Sequence, residues 1–320
     1  MESTAQVRSH LKGAARRVMP RPVLERLYRA WSQLAVVRSG VEPLFHSAGP
    51  APEPLGLEEF RALSREFPPG GGVDVDAMAA LHRQYTAGAV ERRGQQRIVQ
   101  LSRALGSAMR GVERSLELGC GEGMASHALA RRGIRASGID LRSEVFDPRA
   151  LADGVDLRAM DAGSLQHESD HFDLVFSFDA FEHFPDPKAV LREAIRVTRP
   201  GGLIYLDFGP LYDSAWGLHA FAALGIPYVQ HLFEEDTLQR FCAQEGVGPI
   251  AFDQCNRWPL ARYRDLFSRH RPALEPVLLF EKHDVSGLPL IERYPSQLKR
   301  RTDDLEALLV GYIEALFRKI

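Results

Sequence analysis

Segments with strand patterns alternate with helical patterns through the middle of this chain. Predicted strands stand at Arg114–Leu118, Ala136–Leu141, Val155–Met160, Phe172–Phe178 and Leu203–Phe208. The segment Pro187–Val197 between the last two has the spacing of an amphipathic helix. Strands that alternate with helices in this way form a parallel, doubly wound sheet. The pattern therefore predicts an α/β fold.

Three glycines follow the first predicted strand and precede a helical pattern. Gly119, Gly121 and Gly123 alternate with Cys120 and Glu122. Glycine permits positive φ and close approach of backbone to a ligand, and a helix N-terminus presents free N–H groups. The spacing is not the G-x-G-x-x-G of a dinucleotide loop, and no P-loop lysine follows. The pattern indicates a cofactor loop, with a plain strand-to-helix turn as the structural alternative.

The segment from Glu117 to Gly123 resembles motif I (acidic-x-G-x-G-x-G) of class I S-adenosylmethionine (SAM) dependent methyltransferases of the small-molecule type. Four further features agree in order: Asp140 at the end of strand two, Asp161 after strand three, the run Phe172 to Asp179, and Arg199-Pro200-Gly201-Gly202 before strand five. The resemblance covers residues 114–208, is weaker over 75–113 and 235–320, and is absent over 1–56. It implies a Rossmann-like, doubly wound, seven-stranded sheet whose last strand is antiparallel, with S-adenosyl-L-methionine as cofactor.

The resemblance also implies which residues bind the cofactor. The acidic Glu117 suits the cationic amine, and Asp140 can accept hydrogen bonds from both ribose hydroxyls. Asp161 can accept from the adenine amino group, Leu141 can pack on the adenine, and Tyr85 can contact the carboxylate. The full candidate set is Tyr85, Glu117, Gly119, Cys120, Gly121, Gly123, Asp140, Leu141, Met160, Asp161, Ala162 and Asp179.

A sulfonium cofactor implies transfer of an electrophilic methyl group by in-line displacement. We expect a small-molecule acceptor, with the hydroxyl of a sugar or secondary metabolite as the favoured class. A hydroxyl acceptor must lose a proton, and histidine titrates near neutrality. The candidate bases are His183, His219 and His231, with Asp207 and Tyr212 in reserve. A hydrogen-bonded core residue is the structural alternative for each histidine.

Charge and cysteine content exclude several other classes. The net charge of −2 gives no overall basic footprint, so we expect no nucleic-acid partner. The three cysteines lack C-x-x-C spacing, which predicts a reducing compartment and no zinc site. The N-terminal residues lack the apolar core of a secretory signal, so a cytoplasmic location is expected. A divalent ion on Asp179, Glu182 and Asp207 is a further hypothesis, but their spacing does not require it, and we expect no metal.

Residues 1–40 carry a net charge of +6, which leaves −8 for the rest of the chain. Apolar residues there share one helical face: Val23, Leu24, Leu27, Trp31, Leu34 and Ala35. The first hypothesis is that this helix packs on the domain or on a second subunit. The second is weak contact with an anionic membrane surface. Residues 41–56 have a linker composition, so we divide the chain into a basic helical extension and linker at 1–56 and a methyltransferase domain at 57–320.

Two segments are predicted to cap the site, at 210–233 and 257–300. Residues 214–233 contain no Asp, Glu, Lys or Arg, which predicts a buried lid or pocket wall. Strand six is predicted at Pro249–Cys255, a short helix at 303–308 and the antiparallel strand at 311–318. The remaining predicted helices are 57–66, Val75–Leu105, Glu235–Glu245 and Leu260–His270.

Two other functions stay open at this point. The basic extension would suit methylation of a macromolecule, such as tRNA, protein or a lipid-linked glycan. Alternatively, the chain binds SAM without methylating anything. The sequence leaves the oligomeric state open.

Overall fold

The computed structural model describes residues 21–51, 53–68, 86–221, 223–247 and 250–320. Seven strands form one sheet within these residues. Their bounds are β1 Arg114–Leu118, β2 Arg135–Asp140, β3 Asp156–Ala159, β4 Phe172–Phe178, β5 Thr198–Phe208, β6 Leu274–His283 and β7 Val310–Lys319. Strands β1 and β4 have the predicted bounds, and the predictions for β2, β3, β5 and β7 are confirmed in position.

The α-helices are likewise numbered in chain order. They are α1 Arg21–Ser39, α2 Val41–Ser47, α3 Leu57–Glu66, α4 Ala87–Leu105, α5 Met124–Ala130, α6 Pro148–Ala152, α7 Pro187–Val197, α8 Val229–Leu232, α9 Glu235–Gln244, α10 Leu260–Arg269, α11 Leu288–Arg293, α12 Pro295–Leu298 and α13 Leu305–Leu309. Helix α7 has the predicted bounds. The predicted helix at Val75–Leu105 is described only from Ala87, because residues 69–85 lie outside the described part of the chain.

The strand order is β3-β2-β1-β4-β5-β7-β6. Strands β1 to β5 pair in parallel, and β7 runs antiparallel to both of its neighbours, β5 and β6. This arrangement confirms the predicted doubly wound sheet with an antiparallel last strand. The strand order reverses between β1 and β4, and a crevice forms at such a point outside the carboxyl ends of the strands.

Alternate side chains of the central strands enter different cores. Val175 packs with Leu191 of α7 on one face of the sheet. Phe176 packs with Ile98 of α4 and with α5 on the other face. Helix α4 lies close to the start of α5. A Cβ on Gly94 would lie only 2.4 Å from the Met124 carbonyl oxygen, so this contact requires glycine.

A third apolar cluster lies outside these two cores. It joins α2, α3, α9, α11 and α13 with the segment 215–233, for example through Phe45, Phe60, Tyr228, Leu238 and Ile291. The prediction that residues 214–233 are largely buried is therefore confirmed. The domain boundary at residue 56 stays a prediction.

The prediction of strand six at Pro249–Cys255 is wrong. Residues 250–259 form a loop, and β6 lies instead at Leu274–His283, where it pairs with β7. Strand β6 contains Pro276, which is tolerated in an edge strand or at a bulge but argues against a strand when only the local sequence is considered. Consequently α10 precedes β6, and the predicted cap at 257–300 contains an edge strand. Only residues 284–309 connect β6 to β7.

The N-terminal helix packs on the edge strand through a different face from the one predicted. Tyr28 donates from its hydroxyl to the His283 carbonyl at 2.5 Å, and the Arg29 guanidinium lies 5.7 Å from the Phe280 ring centroid. In contrast, Leu27 and Trp31 of the predicted apolar face are exposed. Residues 41–47 of the predicted linker form α2. Among the described residues, no helix combines the length and apolar character needed to cross a bilayer.

Candidate active site

The three glycines of the loop after β1 all have positive φ, at 67°, 52° and 77°. A Cβ on Gly119 would lie 2.6 Å from the Cβ of Ala180, and one on Gly123 would lie 2.6 Å from Leu157 Cδ1. A Cβ on Gly121 would meet no atom within 4 Å. Packing thus requires the outer two glycines, while the middle glycine borders open space that a ligand can occupy.

Asp140 at the end of β2 stands beside that open space. Its Oδ2 accepts from the Gly121 N–H at 3.0 Å, and its Oδ1 accepts from the Arg142 N–H at 3.2 Å. The next side chain, Leu141, is 72% exposed. The site therefore presents a carboxylate next to an uncovered apolar side chain.

The end of β3 meets the same edge of the sheet. Met160 donates its N–H to the Asp140 carbonyl at 2.9 Å, which ties the two strand ends together. Asp161 is exposed and accepts from the Gly163 N–H at 2.8 Å, while Ala162 is buried. The structure thus brings together the candidate residues after β1, β2 and β3.

Glu117 is buried beneath the glycine loop. Its Oε2 accepts from the Ser126 N–H at 3.0 Å and from the Ser126 hydroxyl at 2.7 Å, whereas its Oε1 has no hydrogen-bond partner. Burial raises the pKa of Glu117 to about 7. The same burial raises the pKa of the Cys120 thiol, so this cysteine is a packing residue of the loop.

Arg97 of α4 is a site residue that the sequence analysis missed. Its Nη2 donates to Asp179 Oδ2 at 2.7 Å, and its guanidinium lies 5.5 Å from the Phe178 ring centroid. Asp179 itself has a φ of 48° directly after β4. The other predicted contact from this region, Tyr85, lies outside the described residues. No local motif marks Arg97, because only the packing of α4 brings it to β4.

Two of the three candidate histidines lie together beside the glycine loop. The rings of His183 and His219 are 4.9 Å apart at 82°. His183 is in the turn after β4, and that turn contacts the loop through Ala180 and Phe184, which face Gly119. Burial lowers the pKa of His219 to about 4, so its imidazole is neutral at neutral pH.

The structure does not bring His231 to this pair. Its ring is buried between Tyr212 and Tyr228, and its Nε2 lies 3.1 Å from the Asp213 carbonyl. Burial lowers the pKa of His231 to about 4. The structural alternative, a hydrogen-bonded core histidine, therefore describes His231.

The two reserve candidates, Asp207 and Tyr212, also contact other side chains. Asp207 Oδ1 accepts from the Lys282 ammonium at 2.7 Å, and its Oδ2 accepts from the Gln100 amide. The Tyr212 ring lies under the Arg257 guanidinium at 5.1 Å. Among the described residues, Asp179 and Asp207 do not join Glu182 in a set of converging metal ligands.

Residues 116–206 match the family model described as a methyltransferase domain. Two similar curated proteins are both called ubiquinone biosynthesis O-methyltransferase. The one from Aeromonas salmonicida is 38% identical over 101 residues, which is 30% of this chain and 42% of the relative. The one from Stutzerimonas stutzeri is 31% identical over 146 residues, 43% of this chain and 62% of the relative. The chain spans about half the length of the curated relatives it matches.

Solved structures with a similar chain path were also found. The PH0226 protein from Pyrococcus horikoshii has a TM-score of 0.43 at 16% identity, over 71% of this chain and 91% of that one. A SAM-dependent methyltransferase from Methanosarcina mazei has a TM-score of 0.41 at 18% identity, over 65% and 92%.

The buried Glu117 predicts a pH dependence of stability. Its pKa in the folded chain, about 7, is above the ordinary 4.5, so folding favours the protonated form. That stabilisation is complete below pH 4.5 and is lost as the pH rises through 7. Relative to Glu117→Gln, the free energy of unfolding of the wild type should fall by about 2–3 kcal/mol between pH 5 and pH 8. Urea unfolding at both pH values measures this, and parallel profiles would contradict it.

Proposed function

Because the chain contains a class I SAM-dependent methyltransferase domain, we propose that it transfers a methyl group to a small molecule. The observation that carries this proposal is the open space at Gly121 beside the Asp140 carboxylate. The partnerless Glu117 Oε1 beneath the loop also fits a ligand with a cationic amine. The chain's residues thus fit the cofactor of the family.

Each part of the site has one role in this proposal. The Asp140 carboxylate, which accepts from the Gly121 N–H of the loop, accepts hydrogen bonds from the ribose hydroxyls. Asp161 accepts a hydrogen bond from the adenine amino group. Leu141 covers the adenine face. Arg97, held by Asp179, offers a cation to the carboxylate at the other end of the cofactor. When bound, the cofactor supplies an electrophilic methyl group on a sulfonium.

We place the acceptor at the pair of histidines after β4 and β5. The acceptor hydroxyl oxygen forms a bond to the methyl carbon while the carbon–sulfur bond breaks, and that electron pair stays on sulfur. The hydroxyl proton leaves during the step. In the simplest form of this mechanism an imidazole takes that proton, and we assign this role to His183, because burial lowers the pKa of His219 to about 4 and makes it a weak base.

The nature of the acceptor is supported by two observations. The curated relatives are O-methyltransferases by name, which favours an oxygen acceptor. The segment 214–233 places a buried apolar stretch beside His219 and so favours a partly apolar small molecule. A sugar or secondary-metabolite hydroxyl remains the proposed class. The three cysteines form no disulfide, which supports a reducing, cytoplasmic location.

Asp140→Ala should weaken SAM binding at least tenfold, because it removes charge-assisted hydrogen bonds to the ribose. Isothermal calorimetry measures the affinity. Asp156→Ala is the matched control, since Asp156 is an exposed carboxylate that pairs with Arg158 at the amino end of β3. Equal affinities for the two variants would overturn the ribose assignment.

His183→Ala should lower kcat at least a hundredfold while leaving the affinity for SAM nearly unchanged. Steady-state assays with hydroxyl acceptors measure kcat. The control is His270→Ala, because that side chain lies at the end of α10, where its Nδ1 is 2.8 Å from the Leu266 carbonyl oxygen. A kcat equal to that of the control would end the role of His183 in activating the acceptor.

We also propose weak contact between residues 1–40 and an anionic membrane surface. The solvent-facing side of α1 carries Leu27, Trp31, Leu34 and Val37, of which Val37 is 70% exposed. The net charge of +6 over residues 1–40 complements anionic lipid headgroups.

The full chain should therefore sediment with phosphatidylserine vesicles and be released by salt. Replacing both Leu34 and Val37 with serine should weaken binding about tenfold by removing apolar area. Val277→Ser, at an exposed apolar position of β6, is the control. Equal sedimentation of the two variants would contradict a role for this face.

A further inference from the structure

Three segments that are far apart in the sequence converge beside the glycine loop. They contribute His183 from the turn after β4, His219 from the segment after β5, and Cys255 from the loop before α10. One ring nitrogen of each histidine and the Sγ of Cys255 all lie within 4.8 Å of one another. Imidazole and thiolate are the ligands that proteins use for zinc.

Each histidine is oriented by a backbone carbonyl. His183 Nδ1 lies 2.5 Å from the Gln254 carbonyl oxygen, and His219 Nε2 lies 2.8 Å from the Pro210 carbonyl oxygen. A carbonyl only accepts, so these two nitrogens are the protonated ones. The opposite nitrogen of each neutral ring then keeps its lone pair. Metal-binding histidines are typically fixed in this way.

The loop that carries Cys255 is fastened to the histidine turn. The Asn256 N–H donates to the Glu182 carbonyl at 2.8 Å, and its side-chain amide donates to the Phe181 and Phe184 carbonyls at 3.1 and 3.0 Å. Tyr263 of α10 donates to Asn256 Oδ1 at 2.9 Å. The position of Cys255 is thus built into the fold.

His219 occupies this place with an unfavourable backbone. Its φ is 58°, in the left-handed region that non-glycine residues rarely adopt. Such strain is found at functional sites more often than elsewhere.

A second and independent observation points to a cation. Glu182 is 2% exposed, and its Oε1 lies 3.7 Å from His183 Nε2. Neither carboxylate oxygen makes a hydrogen bond of normal geometry, although the backbone N–H groups of Glu182 and Gly209 lie close by. A buried carboxylate without a partner is costly, and a bound cation beside it would compensate its charge.

We propose that His183, His219 and Cys255 bind a zinc-class divalent ion, with Glu182 as the adjacent negative charge. The mixed nitrogen and sulfur ligands favour Zn²⁺ over Mg²⁺ or Ca²⁺, which take oxygen ligands. Three protein ligands leave a tetrahedral ion one open position, as in catalytic zinc sites.

The role of this ion rests on the proposed function, although its binding does not. The histidine pair lies where we place the acceptor, so the open position would receive the acceptor oxygen. There the ion, rather than a free imidazole, would make the hydroxyl more acidic. His219 and Cys255 both lie outside the matched residues 116–206. The prediction of no zinc site followed from the lack of closely spaced ligands, whereas these three ligands come from distant positions in the sequence.

The test uses the full chain, stripped with a strong chelator and then titrated with Zn²⁺ or Co²⁺. The wild type should bind one equivalent, and the Co²⁺ form should show thiolate-to-cobalt charge-transfer absorption. Cys255→Ser should abolish that absorption, and Cys255→Ser and His219→Ala should each weaken Zn²⁺ binding at least a hundredfold. Thermal unfolding verifies that each variant is folded.

Two control variants probe residues away from the cluster. Cys242→Ser alters a buried cysteine of α9, and His270→Ala alters a histidine at the end of α10. Both should keep the absorption and the full affinity. Substoichiometric binding by the wild type, or unchanged cobalt absorption in Cys255→Ser, would overturn the site.

Activity measurements separate the role from the site. If the ion activates the acceptor, the chelator should abolish methyl transfer and Zn²⁺ should restore it, with unchanged affinity for SAM. Full activity of the metal-free chain would overturn the role and favour a histidine base. Metal binding without transfer to any acceptor would contradict the proposed function and leave the site standing.

Discussion

The parallel pairing of β1 with β4 is the constraint on which the rest of the site depends. In this register Leu116 lies opposite Val175, so both strands deliver the chain to the same edge of the sheet. Beyond this edge, the glycine loop after β1 contacts the turn after β4 that carries His183. Gly119 has no Cβ, so Ala180 and Phe184 of the turn can pack directly against the loop. The proposed donor and acceptor sites are therefore neighbours at one edge of the sheet.

Local patterns were sufficient to predict most of the sheet. Strand β4 is mostly apolar, with Asp173 and Ser177 as its polar residues, because both of its faces are covered, and α7 begins with Asp186 capping its first turn. Strand β6 was misplaced although Val277 to Phe280 are apolar. Pro276 directly precedes that run, and a proline is tolerated in a strand only at an edge or a bulge, so the local pattern resembles a loop. The packing face of α1 was predicted from apolar residues alone, whereas Tyr28 and Arg29 contact Phe280 of β6 through the tyrosine ring and the guanidinium.

The candidate site likewise contains some residues that could be predicted from the sequence and others that could not. Candidate residues placed by local geometry, such as Gly119 and Asp140, could be predicted because Gly119 directly follows β1 and Asp140 ends β2. Arg97 and Cys255 could not, because each reaches the site only through tertiary packing of α4 or of the loop before α10. Of the three candidate histidines, the fold joins His183 and His219 and leaves His231 in the core. The positions of the three histidines along the sequence do not show which two lie together in the fold.

Methyl transfer by this chain is the activity on which the proposed roles of the site residues depend. The most direct measurement is incubation of the full chain with SAM that carries a deuterated methyl group and with a panel of phenolic and sugar hydroxyl acceptors, followed by mass spectrometry. The account predicts S-adenosylhomocysteine in equal amount to an acceptor that has gained the labelled methyl group and lost one proton. Tight binding of SAM with no S-adenosylhomocysteine formed from any acceptor, in the presence or absence of Zn²⁺, would contradict it.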